Sequence, residues 1–158
     1  MSGFQGCPGS RMVEFNREDP PVGTEGARVA SQLRQWPIQL HLVSPTAPYY
    51  QGADVLLAAD CAPFAIGNFH NDFLKGKALA IACPKLDAGQ DVYREKIKAW
   101  FNEAKINTLT VLVMQVPCCH GLVGLAAQAL AESERKVPVR YVVAGLSGEV
   151  LQEDWLEG

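Results

Sequence analysis

The feature that most restricts the fold is the stretch Thr108-Leu-Thr-Val-Leu-Val-Met-Gln-Val-Pro-Cys-Cys-His-Gly-Leu122. It opens as a run of β-branched and aliphatic residues, stops at Pro117, passes two adjacent cysteines, a histidine and a glycine, and continues with helix-like spacing over residues 122–130. An apolar run without alternation fits a strand buried on both faces. Such a strand, leading directly into a helix, delivers polar side chains to the crevice at the carboxyl edge of a parallel sheet. Two other runs end alike: Val55-Leu-Leu-Ala-Ala-Asp-Cys61 and Ala78-Leu-Ala-Ile-Ala-Cys83. Three strands that each finish on a thiol are the pattern to explain.

The remaining segments fit around these strands. Residues 139–144 read as a fourth strand, stopped by Gly145, and residues 149–158 as an acidic tail. Tyr93, Ile97, Trp100, Phe101 and Ala104 share one face of a helix for which Asp91 is the expected N-cap. The helix after the organising strand is expected to run to about Arg135. Residues 64–74 have approximately helical spacing, weakened by Gly67, and residues 38–43 alternate like an edge strand. A short helix is expected over residues 27–35, stopped before Pro37, and another after Pro48. Residues 1–26, rich in Gly and Pro, predict an extended arm or linker ahead of one α/β domain over residues 27–158. Strands alternating with helices give right-handed β-α-β units. The expected fold is therefore a three-layer α/β/α domain with a mostly parallel, Rossmann-like sheet.

Composition removes several classes. With 158 residues, 48% of them apolar, the chain can bury a core without disulfides. A net charge of −3 and no cluster of Lys or Arg argue against nucleic acid and anionic membranes as partners. No apolar run approaches the roughly 20 residues of a membrane span. The N-terminal Met-Ser-Gly-Phe-Gln-Gly-Cys lacks the features of a secretion signal. Five cysteines, an odd count without such a signal, predict reduced thiols in a cytoplasmic protein.

The candidate site is the set of thiols. Cys118 and Cys119 stand before a helix whose unsatisfied N–H groups would stabilise a thiolate. Cys61 and Cys83 gain meaning jointly with them, because a soft ion or cluster draws thiolates from neighbouring strand ends. No Cys-x-x-Cys or closely spaced ferredoxin run is present, so any site is assembled by the fold. His70 and His120 are candidate nitrogen donors, Cys7 is a thiol on the arm, and His41 is expected to face solvent from its strand. Each has a plain alternative: a buried inert cysteine, a hydrogen-bonded histidine, an exposed turn thiol. Gly121-Leu-Val-Gly124 is too short for a dinucleotide fingerprint.

Taken together, Gly6-Cys-Pro-Gly-Ser10, Leu33-Arg-Gln-Trp-Pro-Ile-Gln-Leu-His-Leu-Val43, Ala59-Asp-Cys61, Asn68-Phe-His-Asn-Asp-Phe-Leu-Lys-Gly-Lys77, Cys83-Pro-Lys-Leu-Asp87, Val116-Pro-Cys-Cys119 and Gly121-Leu122 form an ordered series covering most of the chain. This series resembles the region that follows the two-cluster ferredoxin domain in 4Fe-4S iron–sulfur proteins of anaerobic bacteria and archaea. The resemblance makes Cys7, Cys61, His70, Cys83, Cys118 and Cys119 the motif positions and leaves His120 at a variable one. The ferredoxin repeats themselves are missing from this chain. The resemblance implies a redox module that holds an iron–sulfur cluster and exchanges electrons with a ferredoxin-type protein or domain. The alternative is zinc, either structural or in a lyase or hydrolase resembling the β-class carbonic anhydrases. That class has Asp-x-Arg after its first cysteine and His-x-x-Cys at the second strand, where this chain has Cys83-Pro-Lys-Leu-Asp87 and Gln115-Val-Pro-Cys118. Lys85 and Asp87 are the candidate substitutes, and open sheet edges leave room for a homo-oligomer.

Overall fold

The three cysteine-ended runs pair side by side, because a strand apolar on both faces is stable only inside a covered sheet. The computed structural model describes residues 28–156. Its strands are β1 (Asp54–Ala59), β2 (Ala78–Ala82), β3 (Thr108–Met114), β4 (Val139–Ala144) and β5 (Val150–Leu156). They form one five-stranded sheet in the order β2-β1-β3-β4-β5. The first four strands run parallel, and β5 returns antiparallel beside β4 through a hairpin. β1 and β3 are buried apart from their first residues, as their unbroken apolar sequence requires.

Two long helices cover one face. From β1 to β2 the chain steps one way along the sheet, and from β2 to β3 and β3 to β4 it steps the other. Right-handed crossovers therefore put the β1–β2 connection on one face and α2 (Gln90–Asn102) and α3 (Gly121–Glu132) on the opposite face. α2 inserts Tyr93, Ile97, Trp100 and Phe101 into the core, the stripe its periodicity predicts. Asp91 lies in its first turn, and Gly89, with φ 73°, takes the N-cap position. The β1–β2 connection holds only the short α1 (Ala62–Ala65) and a π turn, His70–Leu74. The helix expected across residues 64–74 is thus broken near Gly67.

Five more expectations need correction. Residues 28–35 contain no helix. Residues 38–43 contribute a single parallel bridge, Gln39 to Ile81, and then turn. The Lys96 ammonium from α2 donates to the carbonyls of Leu40, His41 and Val43 at 2.8, 3.0 and 2.9 Å and fixes that turn. Three acceptors converging on one cation hold a compact turn in place of an extended edge strand. β3 and α3 stop at Met114 and Glu132, short of the expected limits, and the acidic tail is β5. Cys7 and the arm over residues 1–26 lie outside the described residues.

At the opening end of the sheet, Asp54 accepts hydrogen bonds from Asn107 Nδ2 and Thr108 Oγ1, both at 2.7 Å, joining the starts of β1 and β3. The Thr108 and Asn107 bonds favour the carboxylate and hold the Asp54 pKa below its usual value. A depressed folded-state pKa contributes stability above the ordinary carboxylate range, lost as pH falls through the folded value. The melting-temperature difference between wild type and Asp54→Ala is expected to be full at pH 6–8 and to close on acidification below about pH 4. A difference independent of pH would disprove the linkage.

Candidate functional site at the carboxyl rim

Strand register brings the thiol-bearing loops to one level. Ala59 lies opposite Ala82, and Ala58 opposite both Ile81 and Leu112. The ladder continues one residue beyond β1, with the Asp60 N–H donating to the Ala82 carbonyl at 3.2 Å. Cys61 leaves the sheet two residues after the end of β1, and Cys83 follows the end of β2 directly. β3 runs on to a 3-10 turn, Pro117–His120, which carries Cys118 and Cys119 into the start of α3.

The loops after β2 and β3 close over the end of β1, although these strands are not neighbours in the sheet. A Cβ placed on Gly121 would lie 3.0 Å from Pro84 Cβ and 3.2 Å from its Cγ. The residue after Cys83 thus rests on the residue that follows the Cys118–Cys119 turn. The rim also includes the β4–β5 turn. The Gln115 side chain accepts the Leu146 N–H at 3.0 Å, and Gly148, at φ 91°, lies so near the Ala65 carbonyl that a Cβ would come within 2.6 Å of its oxygen.

A polar network fixes the Cys83 turn from below. Asp87 Oδ2 accepts the Cys83 N–H at 2.9 Å, the Gln39 Nε2 donor at 3.1 Å and the Tyr93 hydroxyl. The Asp87 N–H donates back to the Cys83 carbonyl at 2.8 Å, and Gln39 also bonds the Tyr93 oxygen at 3.0 Å. Burial first, and then the hydrogen bond to Asp87, push the Tyr93 pKa well above the usual phenol range, so the hydroxyl keeps its proton and donates a hydrogen bond to Asp87. Asp87, the candidate substitute for the acid of the zinc lyases, is occupied in holding this turn. Gln90, at the start of α2, donates to the Pro84 carbonyl and completes the support.

The thiols differ in setting. Cys61 is exposed, its Sγ donates to Asp60 Oδ1 at 3.3 Å, and it borders a cavity of about 520 Å³ with Asp60, Phe64 and Ile81. Cys83 is half-buried. Among the described residues, which do not include the side chains of Cys118 and Cys119, no three His, Cys, Asp or Glu gather as a metal-ligand group. The loops of Cys61, Cys83 and the 118–119 pair all leave the carboxyl end of the sheet, the last two in contact through Pro84 and Gly121, while His70 joins a different set of contacts. Its Nδ1 accepts the Gln32 N–H at 3.0 Å, in a segment whose Gln35 side chain also bonds the backbone N–H of Leu79 at 3.2 Å, near the start of β2.

His120 is exposed, occupies the N-cap position of α3 without a capping side-chain hydrogen bond, and lines a cavity of about 210 Å³ with Val123, Tyr141 and Gln152. His41 is exposed as expected, but from a turn: Nε2 lies 2.6 Å from the Ala88 carbonyl and the ring stacks on Tyr93 at 4.2 Å. Sequence reasoning missed Gln39 and treated Tyr93 only as core. No local pattern announces their shared acceptor. The β1–α1 turn, Asp60-Cys61-Ala62-Pro63, carries no glycine-rich phosphate cradle.

A parallel sheet in the order 2-1-3-4, with its change of direction between β1 and β3, is the doubly wound α/β class, whose ligands bind at that switch point. The chain belongs to the Rossmann-like domain family, whose description matches residues 47–157. A protein of Archaeoglobus fulgidus, described as uncharacterized, is 32% identical over 119 residues, covering 75% of this chain and 83% of the relative. No solved structure matches the chain. Among the described residues no helix is long and apolar enough to cross a membrane.

The two glycines that open α3 separate rim closure from ordinary helix propensity. Gly121→Ala presses on Pro84 and is expected to destabilise the protein by about 1–3 kcal/mol. Gly124→Ala meets open space in the same helix. It is expected to stabilise by up to about 1 kcal/mol. Urea midpoints of the two variants that move in the same direction would contradict the contact.

Proposed function

We propose that the rim is a thiolate metal site and that the protein is a redox module holding an iron–sulfur cluster there. The observation that carries the reading is the seat of Pro84 on Gly121, which joins the loop of Cys83 to the turn of Cys118 and Cys119 above the strand that leads to Cys61. Soft thiolates from three neighbouring loops are a donor set suited to iron–sulfur clusters. Cys61, Cys83 and one or both of Cys118 and Cys119 would hold the cluster, with Cys7 as the candidate additional ligand; His70, engaged by the Gln32 N–H near the start of β2, is set apart from them. When bound, such a cluster supplies reversible one-electron transfer.

The chain's own residues prepare the site. Asp87, Tyr93 and Gln39 fix the turn that presents Cys83, and the first turn of α3 directs its N–H groups toward the rim. Phe64 and Leu86, 92% and 81% exposed beside Cys61 and near Cys83, suit the docking of a ferredoxin-type electron-transfer partner. The resemblance of the cysteine-bearing segments to the region beyond the ferredoxin repeats supports the same reading.

Elemental analysis of protein prepared anaerobically with reduced thiols tests the assignment. Iron with acid-labile sulfide, and a broad visible absorption that bleaches on reduction, are expected. Cys83→Ser should lower bound iron at least several-fold while the far-ultraviolet circular dichroism of the fold is retained. Stoichiometric zinc without sulfide would replace the cluster by a zinc site. A sample with neither iron nor zinc would refute both.

A further inference from the structure

We infer that the corner between α3 and the β4–β5 hairpin is a second binding site, one that takes a small carboxylate with a single hydrocarbon ring as its body. The topology creates the corner. β4 passes to β5 through a hairpin instead of a crossover helix, so among the described residues no helix beyond α3 covers that end of the sheet. A cavity of about 210 Å³ remains there. Its floor is one cross-strand row: Val113 of β3 lies opposite Val143 of β4, and Val143 opposite Gln152 of β5. Both valines are buried. One side of α3 forms the wall, because His120, Val123 and Gly124 are spaced i, i+3 and i+4. A Cβ on Gly124 would meet nothing within 4 Å. Close packing does not require glycine there, although glycine weakens a helix relative to alanine. Its missing side chain leaves the cavity its width.

The polar groups select the ligand. Gln152 Nε2 donates to the Tyr141 hydroxyl at 2.9 Å. The phenol oxygen thus accepts from the amide while its own proton stays available, and a hydroxyl that accepts one bond donates the next more strongly. His120, exposed at the mouth, supplies an N–H donor from the other side. Among the described residues no carboxylate lines the cavity, so an anion meets donors without a facing like charge. Two donors above an aliphatic floor fit a carboxylate carried on a hydrocarbon body. The size agrees: an apolar cavity of about 150 Å³ admits one benzene ring, and the remaining volume accommodates the carboxylate.

Benzoate is the probe. The isotope-labelled full chain, kept anaerobic and reduced, is titrated with it and followed by amide correlation spectra. The Gln152 and Val143 amides are expected to shift along one saturable curve, with a Kd between about 0.1 and 10 mM for a ligand of this size. Benzamide, which keeps the ring and lacks the charge, should bind about fivefold or more weakly. Tyr141→Phe retains the ring and removes the donor, and should weaken benzoate by a similar factor. Gly124→Leu fills the cavity from the wall and should abolish the saturable shifts, with unchanged far-ultraviolet circular dichroism. The absence of saturable shifts up to about 30 mM benzoate overturns the inference. Equal binding of benzamide overturns it too, as does benzoate binding that neither variant alters.

Discussion

Everything proposed for the rim depends on the closure of two loops over a strand that belongs to neither. Parallel neighbours in register end at the same height, which brings the ends of β1 and β2, and the loops that carry Cys61 and Cys83, to one level. Register alone would still leave the turn after β3 on the far side of β1. The glycine at position 121 removes that separation, because the absent side chain is the space Pro84 fills. The sheet supplies the common level, and this packing contact draws the loops together.

The second requirement is that the Cys83 loop keeps its shape. A carboxylate accepting a backbone N–H, an amide and a phenol is well satisfied, and its partners come from three separate segments: the turn near Gln39, the loop after β2, and α2. The segment around Gln39 is itself tied to α2 by Lys96. Residues distant in sequence therefore hold one cysteine loop in a single arrangement, the rigidity a preorganised ligand needs. The cost of leaving a buried phenol or backbone N–H unpaired makes the arrangement hard to distort.

How much of this could be read from the sequence follows from the range of the forces involved. The buried strands, α2 with its Trp100 stripe, and the thiols at strand ends are local patterns, and the fold follows them. β5 was hidden because an edge strand exposed on both faces has no apolar alternation, so its acidic residues read as a tail. The alternation at residues 38–43 misled for the opposite reason: a Lys96 ammonium from another element converts that stretch into a turn. Gly67 signalled a break that a helical spacing of aromatics obscured. His70 stands beside the cysteines in a list of motif positions, but its contact is with the Gln32 backbone, a pairing set by the path of the chain beyond the β2 edge. Neither Gln39 nor the seat of Pro84 on Gly121 has a sequence signature, since each depends on loops that meet only in the folded protein.

The central claim is that Cys61, Cys83 and the 118–119 pair serve one site, and joint protection from alkylation tests it most directly. Anaerobic, metal-loaded protein would be treated with a thiol reagent before and after metal removal, with each cysteine followed by peptide mass spectrometry. The cysteines of the three loops are expected to be shielded together and to become reactive together as metal is withdrawn. Cysteines that label independently, at rates indifferent to metal, would contradict it.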